Sequence, residues 1–121
     1  MTKILFIEDE SALQRAVTSV LSDEGFEVFS ALDGEIGIRL VKEKKPDLVL
    51  LDLVLPKKDG FEVLKEMRED PELKNIPVII LSNLERSEEI SRALELGATT
   101  YLVKTNYRLE EVVQKIQQTL K

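Results

Sequence analysis

The sequence predicts an α/β fold, a single doubly wound (βα)5 domain, on three observations. Five short runs rich in Leu, Ile, Val and aromatic residues alternate along the chain with longer segments of helical periodicity. The central runs are apolar at almost every position, which is typical of strands buried on both faces of a parallel sheet. The chain has 121 residues, 43% of them hydrophobic, which suits one domain with a substantial core.

Each predicted strand precedes a helix whose ends carry their own signals. The predicted strands are 3–7, 26–30, 47–51, 77–81 and 100–103. Ser11 and Gln14 have the spacing of a capping box at the start of the first helix, and Gly25 ends that helix. The second helix is expected at about 34–44, before Pro46.

The three remaining helices are predicted from apolar stripes. The third follows Asp59 and the fourth ends at Gly97. The stripes are Phe61, Leu64 and Met67, then Ile90, Ala93 and Leu94, then Leu109, Val112, Val113, Ile116 and Leu120. Right-handed crossovers and short loops favour the flavodoxin-like strand order 2-1-3-4-5, over one domain covering residues 1–121.

Composition excludes several classes of function. The chain has no cysteine, so it forms neither disulfides nor thiolate metal sites. No apolar stretch approaches about 18 residues, and no signal peptide is recognisable. A net charge of −6 argues against direct binding to nucleic acid or an anionic membrane. We therefore expect a soluble, cytoplasmic protein.

Polar residues that follow the strands point to a single site. Asp52 interrupts the apolar stretch DLVLLDLVLP, where an ionised carboxylate costs several kcal/mol unless it is compensated. In doubly wound sheets ligands bind beyond the carboxyl ends of the strands, here between the first and third. Glu8 and Asp9 follow the first strand and so face Asp52. Ser82 ends the fourth strand and Lys104 the fifth.

Each of these residues alone has an ordinary explanation. Glu8, Asp9 and Ser82 are residue types that begin loops and cap helices, and a single lysine is usually a solvated surface residue. Together they are harder to dismiss, because two carboxylates about 4 Å apart repel by about 4 kcal/mol and need a cation. Oxygen ligands without His or Cys select a hard ion, and Mg²⁺ fits best.

The same residues could support phosphoryl transfer. An aspartate such as Asp52 can act as a nucleophile and form an acyl phosphate. A metal ion and Lys104 would balance the phosphoryl charge, while the hydroxyl of Ser82 would donate a hydrogen bond. Because the chain contains no histidine, any phosphohistidine donor must belong to another protein.

At these motifs the sequence resembles the receiver domain of two-component response regulators, including those of chemotaxis. The matching segments cover essentially the full chain and are ILFIEDE, PDLVLLDLVLPKKDG, VIILS and GATTYLVK. The resemblance implies that Asp52 is the phosphoacceptor. It also implies that Asp9, Asp52 and the backbone carbonyl of Val54 bind Mg²⁺, with Glu8 helping through a water molecule.

The resemblance further implies a switch. Ser82 and Lys104 would contact the phosphoryl group, and Tyr101 would turn from an exposed to a buried rotamer as Ser82 moves. The surface of the fourth helix, fifth strand and fifth helix would then change its affinity for a downstream target or an attached effector domain. The expected donor is a sensor histidine kinase or a histidine phosphotransfer protein. Catalysis by the domain itself would be limited to slow self-phosphorylation and self-dephosphorylation.

Two positions, Thr105 and Asn83, depart from the family pattern, and a separate pair of threonines bears on the output. Thr105 follows Lys104 where the family typically has Pro, often after a cis bond; such a bond before Thr costs about 3 kcal/mol. Asn83 replaces a small residue and is expected to alter water access to the acyl phosphate. Thr99 and Thr100 stand where the winged-helix DNA-binding branch commonly has acids, which favours a stand-alone relay or a different effector.

Alternative functions remain open at this point. A haloacid-dehalogenase-like phosphohydrolase also uses an Asp nucleophile and Mg²⁺, but it requires a second Asp where Val54 stands. A flavodoxin-like cofactor binder needs a phosphate loop after the first strand, and the acidic segment IEDES would repel phosphate. A purely structural interaction domain leaves the acids unexplained.

Overall fold

Five strands and five α-helices alternate along the chain in the computed structural model, which describes residues 1–121. The strands are β1 (Lys3–Ile7), β2 (Glu27–Ala31), β3 (Leu48–Leu51), β4 (Val78–Ser82) and β5 (Thr100–Val103). The helices are α1 (Ser11–Asp23), α2 (Gly34–Lys44), α3 (Gly60–Glu69), α4 (Ser87–Glu95) and α5 (Leu109–Thr119). A short 3-10 turn, Lys104–Asn106, joins β5 to α5. None of the helices has both the length and the apolar character needed to cross a bilayer.

The sheet is parallel and has the order β2-β1-β3-β4-β5, so the predicted fold class is confirmed. Each strand lies within one residue of its predicted bounds. All four residues of β3 and all five of β4 are buried, as strands covered on both faces require. Ile7 of β1 pairs with Leu51 of β3, which places the residues that follow them side by side.

The sheet separates two apolar cores, because alternate side chains of each strand point to opposite faces. One core joins the sheet to α2, α3 and α4, and includes Ile38, Leu64 and Ala93. The other joins it to α1 and α5, and includes Val17 and Ile116. β5 contributes to both, since Tyr101 packs against the first core and Leu102 is buried in the second.

The predicted capping box of α1 is wrong. Ser11 is the first helical residue, Glu10 precedes it, and no side chain caps this end. Gln14 instead donates from its amide to the carbonyls of Glu8 and Ala31, both at 3.1 Å. The predicted stop is correct, because Gly25 adopts φ +91° just after the helix.

The predicted apolar stripe of α4 is only partly correct. Ala93 is the one buried residue of this helix, whereas Leu94 is 47% exposed. The reason is that α4 packs on β5, which is the edge strand of the sheet. A single edge strand buries only a small part of the helix surface. The C-terminal end of α4 is fastened by Arg68, whose guanidinium donates to the carbonyls of Gly97 (3.0 Å) and Ile76 (2.8 Å).

Candidate functional site

A cavity of about 320 Å³ opens at the carboxyl ends of the central strands. Its lining residues are Glu8, Asp9, Glu10, Asp52, Val54, Asn83 and Lys104. Five of the residues singled out from the sequence for metal or phosphoryl contact therefore meet in one place. Ser82 and Tyr101 do not line this cavity.

The backbone of Asp52 is held by its neighbours on both sides. Its N–H donates to the carbonyl of Ile7 at 3.0 Å, which continues the ladder between β1 and β3. A Cβ on Gly60 would lie only 2.3 Å from the Asp52 carbonyl oxygen, so only glycine lets α3 begin this close. Gly60 also donates to the carbonyl of Leu53 at 2.9 Å. The acceptor candidate thus lies on a rigid strand end.

Three carboxylates converge on the cavity. Each of Glu8, Asp9 and Asp52 offers an oxygen, and these oxygens lie within 4.8 Å of one another. Glu8 and Asp52 are buried and Asp9 is exposed. The donor set contains oxygen alone, which matches the ligand preference of Mg²⁺, and the open side of the cavity leaves room for water and phosphate oxygens. The residues therefore fit a hard divalent cation.

Lys104 provides the positive charge of the cavity. Its Nζ lies 2.8 Å from Glu8 Oε1 and 3.1 Å from Asp52 Oδ2. Burial lowers the pKa of Lys104, but the two carboxylates outweigh that effect and the net change is a rise. No cis peptide bond occurs, so the bond from Lys104 to Thr105 is trans, and the ammonium reaches the carboxylates in that geometry.

Glu8 is the least solvated of the acids. Its side chain is fully buried, and Oε2 accepts a hydrogen bond from the backbone N–H of Glu10 at 3.1 Å. Its Oε1 forms an ion pair with Lys104 at 2.8 Å and has no other polar partner. Burial, opposed by Lys104 and reinforced by the charge of Asp52, raises the pKa of Glu8 to about 7.

Ser82 and Tyr101 meet behind the cavity, at Leu84. Ser82 is fully buried, and its Oγ accepts a long hydrogen bond (3.4 Å) from the N–H of Leu84. The Tyr101 hydroxyl donates to the carbonyl of Leu84 at 2.6 Å, with its ring half-buried. Burial raises the pKa of Tyr101. The half-buried ring of Tyr101 is therefore held at Leu84 by its hydroxyl.

Other cavity residues extend or modify the sequence-based prediction. The N–H of Val54 donates to Asp52 Oδ1 at 3.3 Å, and Val54 as a whole residue is 56% exposed. Asn83 is exposed and lines the cavity. Glu10 was not predicted, although it is the third acid of the motif EDE and its backbone binds Glu8.

Sequence relatives are transcriptional regulators. The chain is 43% identical over 123 residues to the transcriptional regulatory protein CiaR of Streptococcus pneumoniae, covering 100% of this chain and 52% of the relative. It is 38% identical over 119 residues to the probable transcriptional regulator ycf27 of Porphyridium aerugineum, covering 98% of this chain and 48% of the relative. The chain thus spans about half the length of the relatives it matches.

Solved structures of the same shape are receiver domains and response regulators. The BeF3-activated N-terminal receiver domain of Klebsiella pneumoniae RstA has a TM-score of 0.91 at 28% identity, with 99% of each chain covered. The Mn²⁺-bound form of response regulator Rcp1 has a TM-score of 0.84 at 33% identity, with 98% of this chain and 91% of that chain covered.

The family model described as "Response regulator receiver domain" matches residues 4–117. That range includes β2 to β5, all of β1 except Lys3, the three clustered acids and Lys104. The chain belongs to the receiver domain family of two-component response regulators.

Proposed function

We propose that this receiver domain is a switch in which Asp52 accepts a phosphoryl group from a phosphohistidine. The donor would be a sensor histidine kinase or a histidine phosphotransfer protein. One observation carries the proposal: the side chain of Asp52 is 5% exposed, yet it lines an open cavity and pairs with Lys104. The open side of the cavity lets a phosphoryl group reach the carboxylate of Asp52, and the ammonium of Lys104 balances the negative charge of that carboxylate.

The transfer exchanges one bond to phosphorus for another. A carboxylate oxygen of Asp52 attacks the phosphorus atom, the O–P bond forms, and the P–N bond to the donor imidazole breaks. The electron pair of that bond stays on the imidazole nitrogen. Lys104 Nζ, already 3.1 Å from Asp52, lies where it can neutralise the charge gained by the acyl phosphate.

A divalent cation belongs to this proposal. Glu8, Asp9 and Asp52 would hold it together with the backbone carbonyl of Val54. When bound, Mg²⁺ supplies positive charge that phosphoryl oxygens require during transfer. The fit of the oxygen-only donor set supports this assignment, as does the Mn²⁺-bound state named for Rcp1.

Output would pass through Ser82 and Tyr101. Both contact Leu84, in the loop between β4 and α4, so a movement of the Ser82 hydroxyl towards a phosphoryl group would disturb the partners of Tyr101. The surface formed by α4, β5 and α5 would then have two arrangements whose balance phosphorylation biases. Such coupling is typically worth about 1 to 3 kcal/mol, or roughly 5- to 150-fold in partner affinity.

The downstream partner depends on the rest of the protein. The relatives are named transcriptional regulators and are about twice as long as this chain. We therefore favour an attached DNA-binding region as the output over the stand-alone relay that Thr99 and Thr100 favoured. With a net charge of −6, the domain described here is not expected to contact DNA itself.

Labelling with acetyl phosphate and Mg²⁺ tests the acceptor. Intact-protein mass spectrometry should show one added phosphoryl group on the wild type and none on Asp52→Asn. Asp23→Asn is the matched control, since Asp23 is exposed at the end of α1 and should not affect labelling. Labelling of Asp52→Asn at the wild-type level would mean that another carboxylate is the acceptor. Sustained turnover of a small phosphomonoester would instead favour the phosphohydrolase.

A further inference from the structure

The amide of Gln14 has an unusual pair of partners. Its Nε2 donates to the carbonyls of Glu8 and Ala31, both at 3.1 Å. Because both partners are acceptors, only the NH₂ side of the amide can face them, so the orientation of the side chain is defined. The residue predicted to cap α1 thus binds the end of the sheet instead.

These bonds lie where the ladder between β1 and β2 stops. The N–H of Glu8 donates to Ala31 at 2.9 Å, and this is the last backbone bond between these two strands. Beyond it the Glu8 carbonyl has no partner on β2, and the Gln14 amide takes that place. Gln14 therefore joins the first turn of α1 to the end of β1 and closes a loop around Asp9.

Asp9 has few other restraints. It is the exposed member of the acid cluster, and neither its backbone nor its side chain makes a hydrogen bond. Its position depends on the residues on either side, Glu8 and Glu10. Glu10 binds the side chain of Glu8, while Gln14 binds the backbone of Glu8.

We propose that Gln14 is a positioning residue for the acid cluster: by fixing the Glu8 carbonyl, it holds Asp9 where its carboxylate shares a cation with Asp52. This inference rests on the proposed function, because it assumes that the cavity binds a divalent cation. Groups that orient ligands through hydrogen bonds usually change metal affinity roughly 10- to 100-fold when removed, and we expect a value near 10-fold here.

The test uses Gln14→Met, which keeps the length of the side chain but removes its donor. Gln114→Met is the matched control, since Gln114 is exposed on α5 and makes no side-chain hydrogen bond. Amide spectra of each protein are recorded without metal and then with increasing MgCl2. Gln14→Met should shift the amides of Glu8, Asp9 and Glu10 before metal is added, and should weaken Mg²⁺ binding about 10-fold.

The outcomes separate this inference from the proposed function. A wild type that does not respond to MgCl2 would overturn the cation site, and this inference with it. A wild type that binds Mg²⁺, with Gln14→Met binding equally well, would overturn this inference alone. A lower melting temperature with unchanged Mg²⁺ affinity would show a merely structural role and would also overturn it. Gln14→Asn, whose amide is one methylene shorter, is assessed in the same way if Gln14→Met fails to fold.

Discussion

Lys104 Nζ lies 3.1 Å from Asp52 Oδ2, although the two residues are 52 positions apart in the chain. Asp52 follows a central strand and Lys104 follows the edge strand, with β4 between them. The pair therefore forms only when the sheet is assembled in its full order. Both side chains are largely buried. Loss of either charge would therefore leave the other buried without a partner, which would lower the stability of the folded protein.

Replacing the ammonium should destabilise the metal-free protein. Lys104→Met leaves two buried carboxylates, Glu8 and Asp52, without a cation, and removal of one partner from a buried pair costs roughly 3 kcal/mol. Urea unfolding with EDTA at about pH 8 measures the loss. Lys65→Met is the control, because Lys65 is exposed on α3 and has no ion pair. Equal losses in the two variants would contradict the prediction.

The buried carboxyl of Glu8 should make stability depend on pH. Its pKa is about 7 in the folded protein against an ordinary 4.5, so the folded state binds a proton more readily between these values. The stability due to this group is complete below pH 4.5 and is lost as pH rises through 7, by an amount on the order of 3 kcal/mol.

Glu8→Gln should remove that dependence. Unfolding free energies with EDTA, measured between pH 4.5 and about 8, should favour the variant increasingly as pH rises. The difference between wild type and variant isolates Glu8 from the other acids. A difference that stays constant over this range would show that Glu8 titrates normally.

Mg²⁺ should stabilise the folded protein through the acid cluster. At a concentration 100 times its dissociation constant, a ligand specific for the folded state adds about 2.7 kcal/mol. Asp9→Asn should lose most of this gain and, because one repelling charge is removed, should be more stable than wild type without metal. Thermal melting with and without MgCl2 measures both effects, with Asp23→Asn as control. A full Mg²⁺ response in Asp9→Asn would exclude Asp9 as a ligand.

Ser82 should be needed for the response of Tyr101. Beryllofluoride with Mg²⁺ should shift amide resonances of the wild type along 83–108, well beyond the cavity. In Ser82→Ala, Asp52 should still take up beryllofluoride, but the shifts around Tyr101 should shrink sharply. Ser91→Ala on the exposed side of α4 should respond like the wild type. Undiminished shifts at Tyr101 in Ser82→Ala would show that the hydroxyl is not the link.

The fold and the acid cluster were predictable because they depend on short-range patterns. Alternation of apolar runs with helical stripes determines the parallel sheet, and the sheet places residues at strand ends together regardless of their separation. Asp52 and Lys104 are such residues. The role of Tyr101 in the switch could not be predicted from hydrophobic periodicity or residue spacing, and it came only from the resemblance to receiver domains.

The predictions for α1 and α4 were wrong where the outcome depends on contacts with residues that are distant in the sequence. Ser11 and Gln14 have capping-box spacing, but the carbonyls of Glu8 and Ala31 compete for the same amide and are visible only in three dimensions. Leu94 fits a helical stripe, yet its exposure follows from the position of α4 on the sheet edge. The contacts of Leu84 likewise depend on a loop that carries no motif.

The division of the interior by the sheet has a consequence for the surface formed by α4, β5 and α5. α4 anchors through Ala93 on one side of the sheet, and α5 anchors through Val112 and Ile116 on the other. Displacing α4 therefore repacks neither the side chains beneath α5 nor those beneath α1. Only β5, with Tyr101 on one face and Leu102 on the other, is shared by both halves of that surface. α4 and α5 pack on opposite faces of the sheet, so their relative orientation depends on β5 alone. The affinity of a partner that binds both helices is therefore sensitive to the position of that one edge strand.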